Sequence, residues 1–326
     1  MSAPQSNRRL RNRVCSQLTA LHQGGQLAAP RSVVRYLSDQ LIDEIALEYR
    51  SRSPDAPAHG RAAIITAGVP GAGKSVAIDM VATDHRRIDP DGIKDLILMR
   101  VDQAGLLDIR HSHVLLDGKP VHPSELAMWV HDASTEDANR VRAVSLRRGE
   151  NLVMEGTLSW TPLIDSYVTD LASDDYERLT TIDVEVPFLL AVEQSTHRWW
   201  AAREAGRTAD HVELGGRFIT QAALASFYRR QRRVSKCAAN ARTLRTNANN
   251  AGIATDLLIV SRTSTGREYR AWLRPDGDID APQGAPLGAV CIKCGAILTN
   301  PTAIRTGVGR SRARSRPAAF PTPRAT

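Results

Sequence analysis

Cysteine is scarce. Cys15, Cys237, Cys291 and Cys294 are too few and too scattered along 326 positions for a disulfide framework, and a reducing cytoplasm is the expectation. No apolar run comes near the roughly 20 residues needed to cross a bilayer, so no membrane contact is expected. The N-terminal segment has arginines but no apolar core of a secretory signal. Acidic residues are missing from both flanks. Residues 1–38 carry six arginines, and residues 281–326 carry six arginines and one lysine; these +13 charges leave −5 for residues 39–280 out of an overall +8. The basic balance therefore belongs to the flanks, the body is acidic, and nucleic acid is not the expected partner. No second CxxC and no HxxxH follows Cys291-Ile-Lys-Cys294, so that pair is expected to hold no metal.

What the chain does have is a loop that takes phosphate. Gly68, Val69, Pro70, Gly71, Ala72, Gly73, Lys74 and Ser75 spell G-x-x-x-x-G-K-S between an apolar run, Ala62 to Ala67, and helix-forming residues. The glycines let the backbone take conformations that a side chain forbids, so N–H groups can converge on phosphate oxygens. The helix that follows points its positive end at the same anion. Lys74 reaches the β- and γ-phosphates, and the Ser75 hydroxyl ligates Mg²⁺, a cation that seeks oxygen. ATP and Mg²⁺ are the implied cofactors.

Strands alternate with helices along the rest of the chain. Val33 to Tyr49 reads as a helix, Arg87 to Ile88 as a strand ending in Asp89-Pro90-Asp91, and Pro123 to Arg148 as one long helix closed by Gly149. A buried strand, Asn151 to Met154, leads into Glu155-Gly156-Thr157. Thr181 to Val186 alternates, with Asp183 and Glu185 as the polar face of an edge strand. Helices are expected over 189–205 and 220–246, and strands over 254–261 and around Tyr269 to Leu273 form a hairpin. This pattern predicts an α/β fold: a P-loop NTPase-type, mostly parallel sheet with helices on both faces. Three segments follow: a basic, flexible N-terminal arm (1–30), a P-loop kinase domain (31–275) and a disordered Pro/Gly/Arg-rich tail (276–326). The run from Tyr228 to Arg233 is expected as a solvated helix face, and His122 and His131 as surface or capping residues.

A kinase acting on a hydroxyl needs a carboxylate to take or orient the proton, and cations to spread the charge on the transferring phosphoryl group. Asp89 and Asp91, Glu155 and Thr157, and Lys94 one turn into a helix all fall at strand ends beside the P-loop. ITAGVPGAGKS, IDPDGIK and NLVMEGTL, in this order and spacing, resemble the zeta toxin family of P-loop kinases over about residues 31–262. Members with known activity phosphorylate UDP-N-acetylglucosamine at a sugar hydroxyl and are held inactive by a small antitoxin. The resemblance implies Asp91 as the base, Lys74 and Ser75 on phosphates and Mg²⁺, and Glu155 and Thr157 lining the sugar site, with Lys94 beside them. It implies two arginines near the γ-phosphate. Arg217 matches one by context. Arg198 and Arg203 compete for the other and point about 140° apart on a helix; Arg198 is preferred, because Arg203 can cover an indole. Asn139 stands on the long helix where characterised members carry glutamate, and the stretch between the arginines is longer than theirs.

The implied reaction is transfer of the ATP γ-phosphoryl group to a small molecule, first of all a UDP-N-acetyl amino sugar. Two other readings stand beside it: a kinase of another metabolite or a nucleic-acid end, and a nucleotide-dependent switch or DNA-binding protein without catalysis. Asp91 separates them, since a switch needs no carboxylate base. The bland alternative is that Asp91 only caps a helix starting at Gly92.

Overall fold

The computed structural model describes residues 3–52, 57–205, 214–229, 234–265, 267–277 and 279–280. The tail with Cys291 and Cys294 and arginines 230, 232 and 233 lie outside them. Before the sheet come α1 (Ala3–Gln23), α2 (Arg31–Tyr36) and α3 (Asp39–Ser51). Then follow β1 (Ala62–Ala67), α4 (Lys74–Asp79), β2 (Arg86–Ile88), α5 (Pro90–Gln103), α6 (His131–Arg147) and β3 (Leu152–Met154). The chain continues through α7 (Pro162–Ser173), β4 (Arg178–Glu185), α8 (Phe188–Glu204), α9 (Gln221–Ala225) and α10 (Lys236–Asn250). It ends in β5 (Ala254–Arg262), β6 (Glu268–Leu273) and β7 (Ile279–Asp280).

The seven strands lie in the order β2-β3-β1-β4-β5-β6-β7. The first five are parallel, and β6 returns antiparallel on β5, the hairpin read from the sequence. Strand β1 is apolar on both sides because both faces of the sheet are covered, and Ile64 and Ile65 are both buried. Register aligns Ala67 with Asp183 and Ile65 with Met154, so the carboxyl ends of β1, β3 and β4 open on one edge. That edge is where an open parallel sheet binds its ligand.

Four expectations give way. The arm expected to be flexible is instead the helix α1: Val14 and Leu18 are wholly buried, and Asn7 Oδ1 accepts the Trp200 indole N–H at 2.8 Å. Leu10, Val14, Leu18 and Leu21 recur at helical spacing, and arginines 8, 9 and 13 face outward between them. The helix over Val33 to Tyr49 breaks at Ser38, which caps α3 by accepting the Leu41 N–H. The expected 220–246 helix is two: α9 stops at Ala225, and Ser235 caps α10. The long helix begins with a 3-10 segment, Pro123–Val130, before α6.

Strand β4 is central, between β1 and β5, so Asp183 and Glu185 do not sit on an edge. Both are buried. Asp183 Oδ2 meets Arg242 Nη1 at 3.0 Å, and Glu185 accepts from Ser235 N–H at 3.1 Å and from the Ser235 hydroxyl. Burial and the nearby Asp183 charge push the Glu185 carboxyl up to about 8.

Asp137 on α6 is fully buried, and neither carboxylate oxygen has a hydrogen-bond partner. Burial lifts its pKa from the ordinary 3.8 to about 7, against the pull of Arg140. A folded pKa above the unfolded one means the folded chain holds a proton that the unfolded chain has lost. Stability from this group is therefore full below about pH 4, falls as pH rises towards 7 and stays low above it, a change of up to about 4 kcal/mol. Asp137→Asn is expected to remove most of the difference in melting temperature between pH 5 and pH 8; an unchanged difference would show that other groups carry it.

Candidate active site

The P-loop joins β1 to α4. Gly68 has φ 144°, and a Cβ there would meet the Val184 carbonyl at 2.6 Å, so only glycine brings this backbone against β4. Lys74 turns back along the loop, its ammonium donating to the carbonyls of Gly68 at 2.9 Å and Val69 at 3.3 Å. Burial pushes the Lys74 pKa down, and nearby Cys237 and Asp91 oppose that. Ser75, the next residue on α4, is exposed.

The Glu155-Gly156-Thr157 segment is stitched to this loop. Thr66 on β1 accepts the Gly156 N–H at 2.9 Å and donates to its carbonyl at 3.0 Å, while Gly68 N–H donates to the Thr157 carbonyl at 3.1 Å. Leu158 takes φ 52°, a left-handed conformation unfavourable for a side-chain-bearing residue. Such outliers persist where surrounding contacts hold them and concentrate at functional sites. The Asn240 side-chain amide supplies one such contact, donating to Leu158 O at 2.8 Å. Thr157 shares a hydrogen bond of 3.0 Å with Ser159. Glu155 accepts from Arg87 at 2.8 Å, and burial together with Asp89 pushes its carboxyl up.

The end of β2 supplies the other carboxylates. Asp89 is the N-cap of α5, its Oδ1 accepting the Asp91 N–H at 2.9 Å. The helix thus begins at Pro90, not Gly92, and the Asp91 carboxylate is not its cap. Asp91 Oδ1 lies 3.1 Å from the Lys94 ammonium, and Oδ2 lies 3.6 Å from Arg217 Nη1. Arg217 also pairs with Asp95 at 2.8 Å and donates to the Asp91 carbonyl. Burial would raise the Asp91 pKa, but Arg217 and Lys94 outweigh it and hold the carboxyl below the ordinary carboxylate range.

Arg198 is exposed on α8, and its charge acts on both Lys74 and Asp91. Arg203 is elsewhere. It is fully buried in a pair of ion bridges, to Asp117 at 2.7 Å and Glu125 at 2.8 Å. It neutralises carboxylates, where covering an indole was the expectation; the Trp199 indole N–H itself donates to Glu125 at 2.7 Å. Asn139 makes no hydrogen bond with the other candidates. It lies two turns, roughly 12 Å, along α6 from His131, the residue of that helix that feels Lys94 and Asp91. His122 is buried as the N-cap residue of the 3-10 segment, and its pKa falls to about 4 because of burial and then Arg203. Tyr228 is also buried, its hydroxyl donating to Val186 O at 2.9 Å, and it lies outside any helix.

Sequence reading missed Asp95, Arg87 and Tyr49. Asp95 had a signal, since it sits one turn after Asp91 on the same face. Tyr49 had none: only the packing of α3 brings its hydroxyl to the Asp89 N–H at 2.9 Å. The oxygen donors at this edge, Ser75, Asp89 and Glu155, suit a hard cation such as Mg²⁺. Among the described residues no group of three or more His, Cys, Asp or Glu could hold a metal ion.

A parallel sheet carrying a P-loop at the end of its central strand, with carboxylates and arginines converging on it, belongs to an ATP-dependent phosphotransferase, a kinase. The sequence profile of the zeta toxin family matches residues 48–249, more than half of the chain, and the chain belongs to that family. Remote likenesses among solved structures include the PezAT chromosomal toxin–antitoxin system of Streptococcus pneumoniae, with TM-score 0.45 and 14% identity over 72% of this chain and 82% of that one. Another is the AvrRxo1-ORF1:-ORF2 complex with ATP, with TM-score 0.42 and 16% identity over 77% of this chain and 70% of that one. No curated protein sequence matches. Among the described residues no helix is long and apolar enough to cross a membrane.

Proposed function

We propose that this kinase phosphorylates a hydroxyl of a UDP-N-acetyl amino sugar, with Asp91 as the base. The observation that carries the chemistry is the Asp91 carboxylate itself. It is left free by the Asp89 cap, kept ionised by Arg217 and Lys94, and close enough to the P-loop for its charge to act on Lys74. Asp91 accepts the proton of the acceptor hydroxyl as that oxygen bonds to the γ-phosphorus; the bond from that phosphorus to the β–γ bridging oxygen breaks, and ADP leaves. Lys74 and the loop amides hold the β- and γ-phosphates, and Arg198 and Arg217 neutralise the transferring group. Ser75 would hold Mg²⁺, which would add further charge neutralisation. Glu155, Thr157 and Lys94 line the acceptor side. Asn139, lying further along α6, contributes at most to its outer rim. A small antitoxin is the proposed protein partner, as the family resemblance implies, and a cytoplasmic setting fits both partner and substrate.

Incubating the protein with ATP, Mg²⁺ and a panel of UDP-sugars and other metabolites, with products resolved by mass, tests the acceptor. UDP-N-acetylglucosamine is expected to gain one phosphoryl group. Turnover confined to metabolites without a UDP moiety would reject the sugar-nucleotide assignment and leave the kinase in place.

A further inference from the structure

The antiparallel hairpin at the far side of the sheet sends one cation back to the P-loop. Arg262 closes β5, opposite Glu268 in the β5–β6 register. Its Nε donates to Glu268 Oε2 at 2.8 Å, and its Nη1 donates to the carbonyl of Ala72 at 2.7 Å. Glu268 is itself held by Arg270, whose Nε lies 2.6 Å from Oε1. The arginine is thus aimed by a carboxylate that is aimed in turn, and its side chain is only 15% exposed. Gly73 accommodates it: φ there is 82°, and an added Cβ would fall on the guanidinium.

The bond has a consequence for the next atom along. The Ala72 C=O and the Gly73 N–H belong to one trans peptide plane and point in opposite directions. A guanidinium that fixes the carbonyl therefore fixes the N–H, directed away from Arg262. It also polarises that amide, because a hydrogen bond accepted at one end strengthens donation at the other. The N–H of the last glycine in G-x-x-x-x-G-K-S is among those that close on phosphate oxygens.

We propose that Arg262 is a positioning residue for the P-loop, holding the 72–73 peptide so that its N–H is set for a nucleotide phosphate, with Glu268 holding Arg262. This rests on the reading of the loop as the ATP site. It gives the hairpin a part in nucleotide binding as well as in the core.

The test compares ATP and adenosine binding to wild type, Arg262→Ala, Arg262→Lys and Glu268→Gln, with melting curves for each. Arg262→Ala is expected to weaken ATP about tenfold while adenosine affinity stays within twofold, because only phosphate meets the amide. Millimolar guanidinium ion is expected to restore part of the loss. Arg262→Lys cannot reach Glu268 and the carbonyl together with one compact ammonium, so it should fall between. Glu268→Gln should weaken ATP severalfold, and it stands as the test if Arg262→Ala does not fold. A purely structural role predicts equal losses for ATP and adenosine and no rescue, which would overturn the proposal, as would unchanged ATP affinity in both Arg262→Ala and Glu268→Gln. A wild-type chain that binds no ATP would instead take down the P-loop reading beneath it.

Discussion

Asp91→Asn is expected to leave ATP affinity near wild type while single-turnover transfer to the acceptor hydroxyl falls by about 10² or more. The substitution keeps the shape of the side chain and removes the charge that can take a proton. A helix-capping role would predict almost no effect, since asparagine caps about as well as aspartate; but that role is filled by Asp89. The Asp91 pKa is held down chiefly by Arg217 and then Lys94, against burial, so the group stays ionised at any pH above the ordinary carboxylate range. An acid limb in the rate profile near neutral pH would then belong to another group. A carboxylate whose pKa is lowered is also a weaker base, which puts part of its work in orienting the hydroxyl. Normal transfer by Asp91→Asn, with ATP affinity measured on the same sample, would exclude both roles.

Lys74→Ala should abolish detectable phosphoryl transfer. The ammonium is the one side-chain charge that emerges from the loop itself, and water in its place loses several kcal/mol of transition-state stabilisation. The truncation also removes the Lys74 donor from the carbonyls of Gly68 and Val69, of which Val69 keeps the Ala72 N–H at 3.1 Å. Nucleotide binding should therefore weaken as well, unlike the Asp91 variant. The pair of substitutions separates phosphate handling from proton handling. Turnover by Lys74→Ala within tenfold of wild type, in a protein that melts as a folded chain, would contradict the assignment of the loop.

Much of the site was legible because its parts are local in sequence. The spelling from Gly68 to Ser75, the Asp-Pro-Asp turn after a short strand and the Glu-Gly-Thr turn after another each declare a strand end, and a parallel sheet brings such ends to one edge. The hairpin of β5 and β6 followed from apolar alternation and the order of the parallel strands from apolar runs, whereas α1 was expected as a flexible arm and α7 was not expected at all. Periodicity was a poorer guide where one serine decided the outcome. Ser38 and Ser235 each cap a new helix inside a stretch that the apolar spacing runs through.

What the sequence by itself determined is the chemistry available to this protein: phosphate-binding backbone, one lysine, and carboxylates at strand ends. Which of those carboxylates is free, and which arginine reaches it, was decided by tertiary structure. Asp89 and Asp91 are equivalent as text, and only the start of α5 makes one a cap and leaves the other exposed to Arg217 and Lys94. Arg198 and Arg203 share a helix, but long-range partners, Asp117 and Glu125, claim Arg203 for the core. Asp183 was expected on the polar face of an edge strand, but β5 pairs beside β4 and Arg242 of α10 takes the carboxylate. The reason is the same in each case. Spacing along a chain states which residues share a face, whereas ionisation and reach depend on what packs against that face, and those neighbours lie far away in sequence.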